Sequence, residues 1–465
     1  MATKKELVEA QTFSKRRLLT AFTSGAPGGR ELEPTSPAKG VIAGLVLAAL
    51  VVGGGFAGGL FNKQLPEGWE NDRTVVVQDN AARYITKDGQ LVPVRNMASA
   101  RLLVSPGATI LTVKAKQIED YERTSAAGID GAPDSLPAPS NFVTDGWRTC
   151  LADDGFLATD LLAPDPGPEA DPSAIPQPPS GDSSALVSVS GQLFLVQGAT
   201  SYALPRTEQL SGVLRELGFI EADAREVPSQ WLALFAEGSA IQPFSVEGAG
   251  EVPPGDLANT AGVMVGSVVL RQGSEDRYLV LSDGQLVAMS PFAVAIYRTG
   301  QSGDQEESTL SPATLATVKE IKPEDGPVPS LWPLEIAEPV TAEQTACARL
   351  NAEGFESVLI PGDRIEKGGV RVQPGTGALA RFSSAQGALT GPLRFVDENG
   401  RAYPIVASPN NSLDETLIRL FPSKTTDTPT PIDVPYAWGE LFPSGPTLSV
   451  AAAQSSLTII EEPEG

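Results

Sequence analysis

Cys150 and Cys347 are the only thiols in this chain of 465 residues, and histidine is absent altogether. Without an imidazole there is no Ser-His-Asp or Cys-His nucleophile, no H-E-x-x-H zinc site and no histidine acid–base pair. No Gly-Lys dipeptide occurs, so the phosphate-cradling Walker A loop is missing too. Gly375-Thr376-Gly377-Ala378-Leu379-Ala380 matches G-x-G-x-x-A superficially. Outside a βαβ unit it reads as a turn between two strands. Carboxylate pairs such as Asp153-Asp154 and Glu306-Glu307 lie in polar stretches and read as solvated surface. Asp397-Glu398-Asn399-Gly400 has the start of a calcium loop, but the later EF-hand ligands are missing and a hairpin turn is favoured. No residue is therefore assigned to catalysis, cofactor binding or metal. The cysteines offer a disulfide, expected if the chain enters an oxidising compartment, with two buried free thiols as the alternative. A bridge over so long a loop is worth about 4–5 kcal/mol in the chain-entropy model.

The elements carrying these residues are short hairpins. Tyr84–Val92, Leu186–Phe194, Tyr278–Leu286 and Phe395–Tyr403 each read as an apolar strand, a turn ending in glycine and a second strand. Asp-Gly and Asn-Gly suit type I′ turns, in which both central residues take positive φ. Pro93, Pro205, Pro291 and Pro404 follow, and a helical pattern comes next in two cases. Leu210, Val213, Leu214 and Leu217 share a face before Gly218, and Ser412 with Glu415 suggests a capping box ahead of Leu417 and Leu420. The expected unit is a hairpin plus a helix, too small to bury a core alone. It recurs at about residues 72–112, 183–222, 263–300 and 388–424. Spacing this uneven excludes a simple solenoid. The expected fold class is α+β, with four such repeats around a central β-rich domain built from the intervening sequence.

Ahead of the repeats, Val41–Phe61 contains no charged residue. Its 21 residues would form a helix about 31 Å long, matching a hydrocarbon core of about 30 Å. Seven basic and four acidic residues precede it, which places residues 1–40 in the cytoplasm and residues 62–465 on the far side. A cleaved signal peptide is the alternative, but the leader is long and no A-x-A site closes the run. Gly54 with Gly58, and Gly55 with Gly59, form G-x-x-x-G pairs suited to helix packing. Leu7–Phe22 reads as a basic amphipathic helix for anionic lipid or a cytoplasmic partner, or simply as a topology signal.

Charge narrows the partners further. The whole chain carries 34 basic and 57 acidic residues, a net −23, and the excess acid falls after residue 40. Such a surface repels nucleic acid and anionic membrane. Forty prolines and 46 glycines imply short elements, and residues 163–182 should run extended.

Several blocks match a known family. They are Arg16-Arg17-Leu18-Leu19, the apolar run near residue 41, one cysteine in each half, and the segment Val370-Arg371-Val372-Gln373-Pro374-Gly375-Thr376-Gly377-Ala378-Leu379. To these add Tyr403-Pro404, Val434-Pro435 and Leu441-Phe442-Pro443-Ser444-Gly445-Pro446-Thr447-Leu448. The chain resembles EccB, the single-span membrane component of the actinobacterial type VII secretion system. That resemblance implies four repeats around a central domain bridged by one disulfide, and a structural role in the inner-membrane complex. The implied partners are EccC (the motor ATPase), EccD, EccE, the mycosin protease and further copies of the same chain. The ectodomain would then stabilise the periplasmic side of the export channel. ATP hydrolysis is also attached to the family, with little support from motifs here. A cell-wall-binding ectodomain is the alternative of another class, disfavoured by an aromatic content of 6%. The cytoplasmic segment is shorter and less aromatic than the family pattern.

Overall fold

The computed structural model describes residues 3–24, 65–162, 183–300, 307–353, 355–388, 390–423 and 428–455. The run Val41–Phe61, with Gly54, Gly55, Gly58 and Gly59, lies outside the described residues, as does segment 163–182. Among the described residues no helix is long and apolar enough to cross a membrane. The fold is mixed α+β and rich in strands. There are two compact units. One comprises residues 1–65 with 116–118 and contains helix α1 (Lys4–Ser24); the other contains the sheets.

Four sheets share one connectivity. In the first, Thr74–Val77, Arg83–Lys87 and Gln90–Pro93 form an antiparallel meander. Helix α2 (Met97–Leu103) then crosses over, and Ile110–Val113 returns parallel to the first strand. The order recurs from Ser183–Val189 through α3 (Leu210–Glu216) to Arg225–Glu226. It recurs from Val268–Arg271 through α4 (Pro291–Thr299) to Ser308–Leu310. The last instance runs from Ala378–Ser383 through α5 (Leu413–Leu420) to Ile432–Pro435. A parallel return needs a long crossover, and a helix supplies it. Three of these helices begin at a side-chain cap. Asn96 Oδ1 accepts from Ser99 N at 2.9 Å, Ser290 Oγ from Ala293 N at 3.1 Å and Ser412 Oγ from Glu415 N at 3.1 Å. Each cap satisfies an orphaned backbone donor, worth about 1 kcal/mol.

A fifth sheet is assembled from distant parts of the chain. Its order is Glu356–Asp363, Gln344–Asn351, Trp147–Leu151, Leu157–Leu161 and Gly369–Val372. The second and third sheets lie in sequence between its two halves. Its core contains Trp147, Trp231 and Trp438, all with no exposed surface, and Trp147 meets Trp438 and Phe442 edge-on at 6.1 and 5.7 Å. A second core joins α3 to α4 through Val213, Leu214, Phe292 and Ile296. A third joins α2 to α5 through Leu102, Leu417, Leu420 and Phe421. These two helices also cap each other. Arg101 donates to the carbonyl of Leu420, and Arg419 donates to the carbonyls of Leu102 and Val104.

The structure corrects three local expectations. Only Asp88-Gly89 and Ser190-Gly191 are two-residue turns with both φ angles positive. At Gly284 and Gly400 the loops hold three residues, so a type I turn with glycine alone at positive φ fits the strand twist. The Gly191 hairpin also joins the first and second strands of its meander, whereas the other three join the second and third. Alternation of apolar and polar residues marks a hairpin without marking its place in a sheet. Finally, Ser412 and Glu415 make half a capping box. The Glu415 carboxylate goes instead to Asn411 and Arg419, both at 2.7 Å, and Arg419 holds its carboxyl below the usual range.

Candidate functional site in the central sheet

Cys150 and Cys347 are directly opposed on neighbouring antiparallel strands of the central sheet. They are bonded, with Cα atoms 4.0 Å apart and 197 positions between them in sequence. Both are buried. Gly362 makes room for the bridge, since a Cβ there would lie 2.5 Å from Cys347 Sγ. Sheets two and three thus form an insertion pinched at its root by the disulfide.

In the same sheet a carboxylate is buried between two guanidinium groups. Asp160, 1% exposed, accepts from Arg148 Nη2 at 2.8 Å and from Arg371 Nε and Nη2 at 2.7 and 2.9 Å. Arg148, Asp160 and Arg371 are cross-strand neighbours in register, so the pairing locks three strands together. The forked contact from Arg371 is the geometry in which a guanidinium holds a carboxylate most tightly.

The carboxylates singled out in the sequence have structural work. Asp153 pairs with Arg364 at 3.0 Å, and Asp154 accepts from the backbone of Phe156 and Gly368. Together they fasten one hairpin tip to the connection entering Gly369–Val372. Glu307 pairs with Arg277 at 3.0 Å and with Arg298, while Glu306 lies outside the described residues. Asp397 Oδ1 accepts from the backbone of Asn399 and Arg401, and Oδ2 from Tyr403 at 3.2 Å. Its oxygens close the hairpin instead of facing a cation. Burial, with the Asp397 charge second, pushes the Tyr403 phenol up to about 12. Gly375, at φ +75°, turns the chain between strands Gly369–Val372 and Ala378–Ser383. Among the described residues no group of three Cys, Asp or Glu is placed to hold a metal ion.

Beside this sheet lies a groove of about 460 Å³, lined among others by Phe156, Pro228, Val370, Glu440 and Leu441. Phe156 is 70% exposed at its mouth, and Gly368 lies so close beneath that a Cβ would fall 2.5 Å from the Phe156 Cβ. Val370 and Leu441 belong to two of the sequence blocks that carry the family resemblance. The lining is mainly apolar, with Thr159, Gln230 and Glu440 its polar side chains.

The family model described as "Type VII secretion system ESX-1, transport TM domain B" matches residues 1–460. The chain belongs to the EccB family. Among curated EccB relatives, the ESX-5 secretion system ATPase EccB5 of Mycobacterium marinum is 25% identical over 66% of this chain and 62% of its own length. The ESX-3 secretion system ATPase EccB3 of Mycolicibacterium smegmatis is 26% identical over 82% of this chain and 76% of its own. The chain therefore spans about 62% of the former relative's length. A chain from an intact ESX-5 inner membrane complex superposes over 100% of this one and 96% of itself, with TM-score 0.61 and 22% identity. The EccB3 dimer from the ESX-3 core complex gives 0.59 and 23% over 82% of this chain and 99% of that one. At such identity the likeness is one of fold, and the β-rich part of this EccB-family chain shares the fold of the EccB3 chain in that dimer.

Sequence reasoning missed Asp160, Arg101 and Arg419 as organising residues. A lone acid inside Leu157–Leu161 carries no signal until its strand partners are known, and Arg371 stood only as part of a matching block.

Proposed function

We propose that this EccB-family chain is a structural core component of a type VII secretion complex in the cell membrane. The observation that carries the proposal is the family match across residues 1–460, which includes the apolar run as well as the folded part. In this reading Val41–Phe61 spans the membrane once, residues 1–40 are cytoplasmic, and the glycine pairs at 54/58 and 55/59 pack on a neighbouring helix. The four sheets of common connectivity are repeats of one unit, set around the disulfide-clasped central sheet. Two pairs of units joined through their helices suit a part that holds a channel's periplasmic side in shape. The partners are further copies of the chain together with EccC, EccD, EccE and the mycosin protease.

The relatives' names, both containing "ATPase", favour nucleotide hydrolysis as a second reading. It lacks a phosphate loop and any histidine in this chain. Mild-detergent purification of the tagged full-length protein from its host, followed by native gels and mass spectrometry, separates the two. A large assembly containing a motor ATPase and polytopic partners supports the scaffold. A lone small oligomer that turns over ATP by itself overturns it.

A further inference from the structure

Helix α1 carries a net positive charge in an acidic protein, and the scaffold reading gives it no task. Its charges are Lys4, Lys5, Lys15, Arg16 and Arg17 against Glu6 and Glu9, and both acids fall in its first two turns. From Ala10 to Ser24 every charge is positive. At 100° per residue, Leu7, Val8, Leu18, Leu19 and Phe22 fall within an arc of about 120°, with Lys4, Gln11 and Lys15 inside it. Leu7, Leu18 and Phe22 are 63%, 63% and 87% exposed, surface that a helix in water alone has no reason to keep.

We infer that this face of α1 docks on the anionic headgroup surface of the membrane that Val41–Phe61 enters. The inference rests on the proposed single-span topology. Two observations choose lipid as the occupant. The first is charge: a purely cationic stretch suits a leaflet of anionic lipid, with Lys15 long enough to carry its ammonium from the apolar arc up to the headgroups. The second is the tether. Residues 25–40 separate α1 from the apolar run and reach at most about 55 Å when fully extended. Such a tether holds the helix near the bilayer at a local concentration on the order of millimolar, so weak docking suffices. A protein groove would have to supply acidic residues on both sides of the arc. An anionic leaflet presents negative headgroups along the whole arc.

The test uses full-length protein reconstituted into vesicles of phosphatidylcholine alone or containing phosphatidylglycerol. A polarity-sensitive dye is attached at Gln11→Cys, since Cys150 and Cys347 are bonded and buried. Vesicle flotation reports the anchor, and the dye reports the docking of α1. Expected is flotation with both vesicle types and a non-polar dye signal only with phosphatidylglycerol, reversed by high salt. The Lys15→Glu/Arg17→Glu pair should lower the docked-to-undocked ratio at least tenfold, because each cation near an anionic surface is worth roughly a fivefold shift in that ratio. Lys15→Arg/Arg17→Lys should restore it. A dye signal equal in both vesicle types, or one that responds only when the other complex subunits are added, overturns the inference and assigns the helix to a protein partner. Loss of flotation from neutral vesicles with the dye response intact sinks the single-span reading alone.

Discussion

Removing the Cys150–Cys347 bridge should lower the melting temperature by a predictable amount. The bond closes a loop of 197 positions, and the chain-entropy model assigns that closure about 5 kcal/mol at 25 °C. Unfolding entropy near 2.1 cal/mol/K per residue, over roughly 400 residues, gives about 0.8 kcal/mol/K and hence a fall of about 6 °C. The Cys150→Ala/Cys347→Ala pair is the right perturbation, because it leaves no buried hydroxyl or lone thiol in a site that is 1% and 0% exposed. Differential scanning calorimetry under oxidising conditions measures the shift. Reduced wild-type protein should melt with the variant, since it lacks the same constraint. A variant within about 1 °C of oxidised wild type would refute the idea that the insertion's closure stabilises the fold.

Three further outcomes follow from side chains in the same unit. Asp160→Asn should cost about 2 kcal/mol, below the cost for a fully buried pair because the Arg371 side chain is 61% exposed. Urea titration of Asp160→Asn, Arg371→Met and the double variant should give a coupling energy of the same order, and strict additivity would contradict the clamp. Arg419→Met removes the cap on the end of α2 and should cost about 1.5–3 kcal/mol. Hydrogen exchange should quicken at residues 97–104 as well as at 413–421, and quickening in the latter alone would argue against reciprocal capping. The Tyr403 phenol, raised to about 12 against an ordinary 10, contributes stability that is complete below pH 10. That contribution is lost as pH climbs from 10 through 12, and Tyr403→Phe should melt with less alkaline dependence over this window.

Local patterns were legible in the sequence; their assembly was less so. Gly89, Gly191, Gly284 and Gly400 announced turns because positive φ selects glycine, and all four have it. The α3 stripe Val213, Leu214 and Leu217 was readable from helical period and is buried. One strand of each meander escaped notice, the first in three of the four, as did the parallel return after each helix. Strands such as Thr74–Val77 and Val268–Arg271 are four residues long and look like any apolar run. Pairing between residues 150 and 347 depends on contacts across almost half the chain, which no local period encodes. Asp153 and Asp154 read as solvated surface and are exposed, but that reading could not show their distant partners, the Arg364 guanidinium and the Gly368 backbone, which only the fold brings near.

The split central sheet carries a consequence for how the chain is made. Synthesis proceeds from the N-terminus, so the hairpin Trp147–Leu161 emerges well before its neighbours Gln344–Asn351 and Gly369–Val372 exist. Until then both of its edges are unpaired, a template for association with the wrong strand. Its charges are well placed for that interval. Arg148 and Asp160 already face each other across the hairpin and keep an ion pair on the waiting ladder. Arg371, arriving some two hundred residues later, completes the pairing only when the right strand has docked. A charge that clamps the finished sheet thus also works as a placeholder, making the half-built one a poor partner for anything but its own missing half.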